Sequence, residues 1–301
     1  MLSISTSWNS MRHTDGLAML EELAGLGFES VELSHGIRYS LWPGILKALE
    51  NKIVRICSMH NFCPLPLGYL KPAPNCYEFS DPRSSGRQLA VKYTKQTIDH
   101  AAEFGAKAVV LHLGSLPLKN PNSKFERLTA RNQLCSRRYV KNKIAAMLEH
   151  EKKFEAAWPR VKGCLAELLE YAKGKKIRLG LESREGIEEI PVESQWGRIF
   201  EELPDAGYWH DFGHSARKDC LGFIDHESEF GKRAARLIGC HVQDFKGPDH
   251  DHMIPGDGDV PFKQFWAHLK NEPLFVLELS PRVPKEKVET CLNWWKKNGP
   301  R

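Results

Sequence analysis

Eight short apolar runs recur along the chain, separated by stretches whose apolar residues follow a helical period. The runs are LSISTSW (2–8), SVELS (30–34), IVRICSMH (53–60), AVVLHLG (108–114), IRLGLES (177–183), GYWHDF (207–212), LIGCHVQD (237–244) and LFVLELS (274–280). Each is too short for a buried helix, and several are rich in Val and Ile, as strands covered on both faces are. Between the first two runs, Asp15 to Leu26 carries apolar residues at 17, 19, 20, 23 and 26 and is followed by Gly27, a natural helix stop. Residues 88–105, 154–173, 194–203, 261–270 and 284–296 show the same period, and Gly105, Gly174 and Gly207 fall where a helix should yield to a strand. Alternation repeated eight times predicts a closed (β/α)8 TIM barrel, with residues 1–301 as one domain. The first run is followed by SWNSMRHTDG, which lacks the G-x-G-x-x-G loop of a doubly wound sheet.

Two stretches are long for connections. Residues 61–87, rich in Pro, Gly and Ser, follow the third strand, and residues 115–153 follow the fourth. Both are expected as long loops on the C-terminal face, where barrels of this kind carry substrate lids. Residues 115–160 hold 11 Lys and Arg against 4 Asp and Glu. This reads first as a solvated basic helix face, with an anionic-substrate site or a subunit contact within a homo-oligomer as alternatives.

Composition narrows the class. With 41% hydrophobic and 27% charged residues, the chain has ample material for a core and is neither disordered nor fibrous. The net charge of +5 is too mild for a dedicated nucleic-acid binder, so no nucleic-acid partner is expected. No membrane partner is expected either, since no run nears the roughly 20 apolar residues of a membrane span. The eight cysteines form no C-x-x-C pair, and MLSISTSW does not read as a secretion signal. A cytoplasmic location with reduced thiols is the expectation.

Candidate chemistry sits at the ends of the last four runs. Glu182, Asp211, His241 and Glu278 each follow an apolar stretch, spaced 29, 30 and 37 residues apart, about one βα unit each. All four would then point into one ring at the barrel mouth. Buried carboxylates crowded together repel, and a divalent cation resolves the conflict. Such a donor set suits one Mn²⁺, Mg²⁺, Co²⁺ or Zn²⁺ ion.

The chain resembles the xylose isomerase-like barrel superfamily, in its sugar phosphate isomerase/epimerase branch. The matching segments are LES (181–183), HDFGH (210–214), HVQD (241–244), HMIPGDGDVPF (252–262) and LEL (277–279). The resemblance implies that Glu182, Asp211, His241 and Glu278 bind the metal and that Glu182 and Glu278 also act as the acid/base pair. It implies His214 as a ligand of a substrate oxygen, and Glu188, six residues after Glu182, as a substrate-binding carboxylate. His60, His112 and His252 stand where relatives keep histidines that touch the substrate, and Trp8 is a candidate to stack on a sugar face. The partner so implied is a small carbohydrate or keto-polyol, processed by removal of an α-proton through a metal-stabilised enediolate. Isomerisation, epimerisation and elimination all start this way. His60, His112 and His252 also resemble ligands of the endonuclease IV type of AP endonuclease, a multi-zinc barrel, which is the alternative.

Overall fold

The computed structural model describes residues 1–119 and 121–300. Each apolar run supplies a strand: β1 (Leu2–Ser5), β2 (Ser30–Leu33), β3 (Arg55–His60), β4 (Ala108–Leu111), β5 (Arg178–Glu182), β6 (Gly207–Asp211) and β7 (Leu237–Val242). A short antiparallel pair, β8 (Asp244–Lys246) and β9 (His250–Met253), precedes the last barrel strand, β10 (Leu274–Leu277). The barrel strands pair in parallel in the order β1-β10-β7-β6-β5-β4-β3-β2 and close on themselves, giving the expected (β/α)8 barrel.

Side chains two apart on a strand face the same way, so Gly180, Trp209, Gly239 and Val276 lie one layer below Glu182, Asp211, His241 and Glu278. Trp209 fills this layer with Cys57, Ala108, Val110, Ile238 and Val276. Glycines on the flanking strands make room for it. A Cβ on Gly180 would lie 2.9 Å from the Trp209 ring, and one on Gly239 would run into that ring. The indole packs edge-on to His241 at 5.2 Å, forming the floor beneath the polar mouth.

Around the barrel run α1 (Gly16–Gly25), α2 (Trp42–Glu50), α3 (Ser84–Glu103), α4 (Asn122–Thr129) and α5 (Arg137–Gly174). They are followed by α6 (Trp196–Glu202), α7 (Phe212–Cys220), α8 (His226–Arg233), α9 (Phe262–Trp266) and α10 (Lys285–Asn298). Asp15 caps α1 by accepting from the N–H groups of Leu17 and Ala18, and Gly27 beyond its end has φ +91°. The connection after β3 is irregular as far as Arg83, as expected. The stretch after β4 is different. Residues 115–153 are largely helical, comprising α4 and the first half of the 38-residue α5, which corrects the expected long loop. Ser136 caps α5 by accepting from the N–H of Tyr139 (3.1 Å). Phe125, Leu128, Tyr139 and Ala146 pack with Ile187 and Leu221 in a satellite cluster, and these few apolar positions are hidden among charges. Among the described residues, no helix is long and apolar enough to cross a membrane.

The floor layer yields a prediction. Gly239→Ala should destabilise the protein by about 1–3 kcal/mol through overpacking against Trp209, read as a lowered urea midpoint with an unchanged m-value. A midpoint equal to wild type would mean that Trp209 does not fill this layer.

Candidate metal and active site

The alternation of strand side chains carries the four expected ligands into one pocket. Single donor atoms of Glu182, Asp211, His241 and Glu278 all lie within 4.8 Å of one another. Nδ1 of His241 is central, 3.3 Å from Glu182 Oε1, 3.6 Å from Asp211 Oδ2 and 3.2 Å from Glu278 Oε2. The four side chains are at most 5% exposed.

His241 and Asp211 are each held by partners outside this group. His241 donates from Nε2 to Glu32 Oε1 (3.2 Å), and Glu32 Oε2 accepts from the Ser58 hydroxyl (2.7 Å). A carboxylate only accepts, so Nε2 carries a proton toward Glu32, and Nδ1, which also faces carboxylates, offers its lone pair to an ion only once its own proton has left. Asp211 is the N-cap of α7. Its Oδ1 accepts from the N–H of His214 (2.7 Å), which is why His214, three residues on, also faces the pocket. Asp211 Oδ2 accepts from the Gln243 amide (2.7 Å), while Gln243 Oε1 accepts from the His252 N–H. Asp244 accepts from the N–H groups of Phe245, Gly256, Gly258 and Val260 at 2.7–3.0 Å, fixing the P-G-D-G turn that follows His252. Sequence reasoning did not single out Gln243, Asp244 or Ser58. The only signal for the first two was their place in the HVQD segment.

The additional histidines gather on the other oxygen of Glu182. His112 Nε2 lies 2.8 Å and His60 Nε2 3.1 Å from Glu182 Oε2. The loop after β3 reaches in through Asn75, whose side chain meets His112 Nδ1 at 2.8 Å. His214 Nδ1 is 3.3 Å from Glu182 Oε1 and Nε2 is 3.2 Å from Glu185 Oε2. His252 Nε2 comes within 3.9 Å of Glu278 Oε2. A cavity of about 390 Å³ opens over Glu278 and His252, walled in part by Ser34, His35, Pro72 and Arg282.

Two expected residues do not join this site. Trp8 is 1% exposed, its indole N–H donates to the Val283 carbonyl (2.9 Å), and the Arg12 guanidinium lies 4.0 Å over the ring. Its face is thus closed to a sugar. Glu188 turns to the N-terminus of α4, accepting from the N–H of Asn122 (3.0 Å). Glu185, three residues nearer in sequence to Glu182, occupies the pocket side instead, held by Arg184 at 3.0 Å. Asp251 enters beside His252 and His214, whereas the neighbouring His250 is exposed and pairs with Asp249.

Electrostatics follow from this crowding. Burial alone would raise Glu182, but His112 and His241 outweigh it and hold the carboxyl well below its ordinary value. Burial, with Glu182 and Glu278 nearby, raises Asp211 despite His214. His241 is driven well above its ordinary value, because Glu278, Glu32 and Glu182 overcome its burial. Burial likewise opposes a charge on His214, but Asp211 and Glu185 raise it to about 10. His112 is pushed down to about 3 by burial and by Arg184.

The donor set fits a divalent cation. Three carboxylates and an imidazole nitrogen converge in a pocket that water scarcely reaches, so an ion, taking the place of the imidazole proton, would neutralise charges that are otherwise costly to bury. Two further groups have donors in coordination reach, His60–His112–Glu182 and His214–Asp251–His252.

A family model described as xylose isomerase-like TIM barrel matches residues 20–298. No curated protein matches the chain by sequence. The structure is similar to a D-tagatose 3-epimerase-like protein (TM-score 0.68, 18% identity, covering 98% of this chain and 97% of that one). It is also similar to 3-keto-D-glucoside 4-epimerase from E. coli (TM-score 0.66, 14% identity, 98% of each chain). A D-allulose 3-epimerase from Methylomonas sp. gives a TM-score of 0.65 at 13% identity, with 99% of this chain and 97% of that one covered. At these identities the likeness is one of fold.

Two predictions rest on the pocket. Glu32→Gln should weaken Mn²⁺ binding by about 10–100-fold, measured by titration calorimetry, because it removes the charge that orients and polarises His241. Equal affinity would remove Glu32 from that role. Because His241 holds its proton above the ordinary histidine value of 6.5, an ion must displace that proton. Mn²⁺ affinity should therefore keep rising as pH climbs past that value, with proton release seen by calorimetry in buffers of different ionisation enthalpy. Binding with no proton release would contradict the arrangement.

Proposed function

The chain belongs to the xylose isomerase-like TIM barrel family, and on that premise we propose that it is a divalent-metal-dependent sugar isomerase or epimerase. The observation that carries this reading is a pair of buried glutamates converging on one imidazole nitrogen, with His241 Nδ1 3.3 Å from Glu182 Oε1 and 3.2 Å from Glu278 Oε2. Glu182, Asp211, His241 and Glu278 would hold one Mn²⁺, Mg²⁺, Co²⁺ or Zn²⁺. When bound, such an ion supplies Lewis acidity toward neighbouring carbonyl and hydroxyl oxygens of a carbohydrate.

The protein's own groups move the proton. One of Glu182 and Glu278 takes the proton α to the substrate carbonyl, and the other returns one. Return to the opposite face of the same carbon inverts it, and return to the neighbouring carbon relocates the carbonyl. A leaving group at the β-carbon turns the same first step into elimination. His214, His60, His112 and His252 surround the glutamates and supply hydrogen bonds to substrate oxygens. The mouth cavity is of a size that suits a small carbohydrate. All eight cysteines are free, four of them buried, which suits the reducing cytoplasm.

A second reading, an endonuclease IV-type AP endonuclease, is favoured by the two extra donor groups, since His60–His112–Glu182 and His214–Asp251–His252 would hold additional zinc ions. Against it, two arginines that touch those groups are already committed. Arg217 pairs with Glu126 and Asp251, and Arg184 with Glu185 and Glu189, so neither is free for a DNA phosphate.

Deuterium uptake at the α-carbon, followed by NMR in D₂O over a panel of ketoses and 3-keto-sugars, tests the reading. Wild type should exchange, and Glu278→Gln should abolish exchange while remaining folded by circular dichroism. Normal exchange in the variant would contradict the acid/base assignment. Incision of an abasic oligonucleotide by protein carrying several zinc ions would favour the second reading.

A further inference from the structure

Five histidines at the barrel mouth have ring nitrogens engaged by carboxylates. His60 and His112 meet Glu182, His214 meets Glu182 and Glu185, and His241 meets Glu32 and Glu278. His252 meets Asp251 at 3.0 Å. His35 differs from all of them. Its ring packs edge-on to His60 at 4.8 Å, yet among the described residues neither of its nitrogens has a hydrogen-bond partner, and Nδ1 is buried. Ser7 repeats the pattern, with a buried hydroxyl that no protein group meets. Polar atoms left unpaired inside a protein are costly, and those that persist beside a site call for an explanation.

The barrel topology supplies one. Strands β10, β7, β6 and β5 stand side by side and bring Glu278, His241, Asp211 and Glu182 together on one arc of the mouth. The other arc is formed by β4, β3, β2 and β1. There His112 and His60 are turned to Glu182, whereas His35, just beyond β2, and Ser7, just beyond β1, are not tied to the donor cluster. Both line the cavity of about 390 Å³ that also reaches Glu278 and His252. A substrate whose reacting carbon lies at Glu278 would extend across this cavity toward them. Burial, with His60 and His112 nearby, holds His35 well below the ordinary histidine pKa, so its ring is neutral, with one N–H to give and one lone pair to accept. A hydroxyl can use either capacity, which suits a polyol better than a charged group.

Given the isomerase or epimerase reading above, we propose that His35 is a specificity-determining residue of that site, hydrogen-bonding a hydroxyl of the carbohydrate on the side of the reacting carbon remote from the four donors. The substrate is then a sugar in which that hydroxyl is free, neither removed nor substituted. The half of the mouth that holds no ion thereby reads the sugar, while the other half carries the chemistry.

Deuterium uptake by the panel sugar that exchanges fastest, compared with the same sugar lacking one remote hydroxyl at a time, tests this. In wild type, one of these losses should lower kcat/KM about tenfold or more. His35→Phe, which keeps a ring against His60, should bring the parent sugar down to the same level, chiefly through KM, and should cease to distinguish it from that deoxy form. His35→Gln, which restores a donor and an acceptor, should recover part of the difference. Mn²⁺ titration of His35→Phe should match wild type, because the four donors are untouched. A wild type indifferent to every remote hydroxyl, undiminished discrimination in His35→Phe, or weakened Mn²⁺ binding in that variant overturns the role of His35 and leaves the isomerase reading standing. Exchange with no sugar of the panel overturns both.

Discussion

Burying carboxylates is the constraint around which this molecule is arranged. Glu32, Glu182, Asp211 and Glu278 meet inside the mouth of the barrel, each at most 5% exposed. An isolated buried charge costs far more than a single hydrogen bond returns, so every neighbouring feature works to compensate it. His241 is set between Glu32 on one ring nitrogen and three carboxylates on the other. Trp209 closes the pocket from beneath, on the side where the glycines at 180 and 239 leave room for its indole. A divalent cation would complete this compensation.

Glu182 is the hub. One of its oxygens faces His241 and His214 and the other faces His60 and His112. A single carboxylate therefore joins the four-donor pocket to a histidine wall. The hairpin after β7 is tied to the same centre. Gln243 links Asp211 to the backbone of His252, and Asp244 holds the glycine-rich turn beyond it, so the cavity roof and the donor cluster are set as one unit.

Much of this was legible from residues alone, for identifiable reasons. The barrel strands are buried on both faces, so their apolar runs stand out, and charged residues that close four successive runs point together to one site. Glu182, Asp211, His241 and Glu278 were visible for that reason. Helices whose buried face is polar were not. On α7 the buried residues include Gly213, His214, Ser215 and Lys218, which carry no hydrophobic period. The first half of α5 was hidden by its lysines and arginines, with Tyr139 and Ala146 the sparse anchors. Loop geometry was also out of reach. Glu188 has the sequence spacing of a substrate ligand, yet the turn after β5 spends its carboxylate on the N–H of Asn122 and leaves Glu185 facing His214. Trp8 likewise follows the first strand, but its indole is sealed between Val283 and Arg12. Both outcomes depend on tertiary contacts that spacing along a chain does not encode.

Anomalous diffraction from crystals soaked in Mn²⁺ tests the central claim most directly. The account predicts a peak about 2.0–2.3 Å from carboxylate oxygens of Glu182, Asp211 and Glu278 and from Nδ1 of His241. An empty pocket at saturating Mn²⁺, or an ion bound only between His60 and His112, would contradict it.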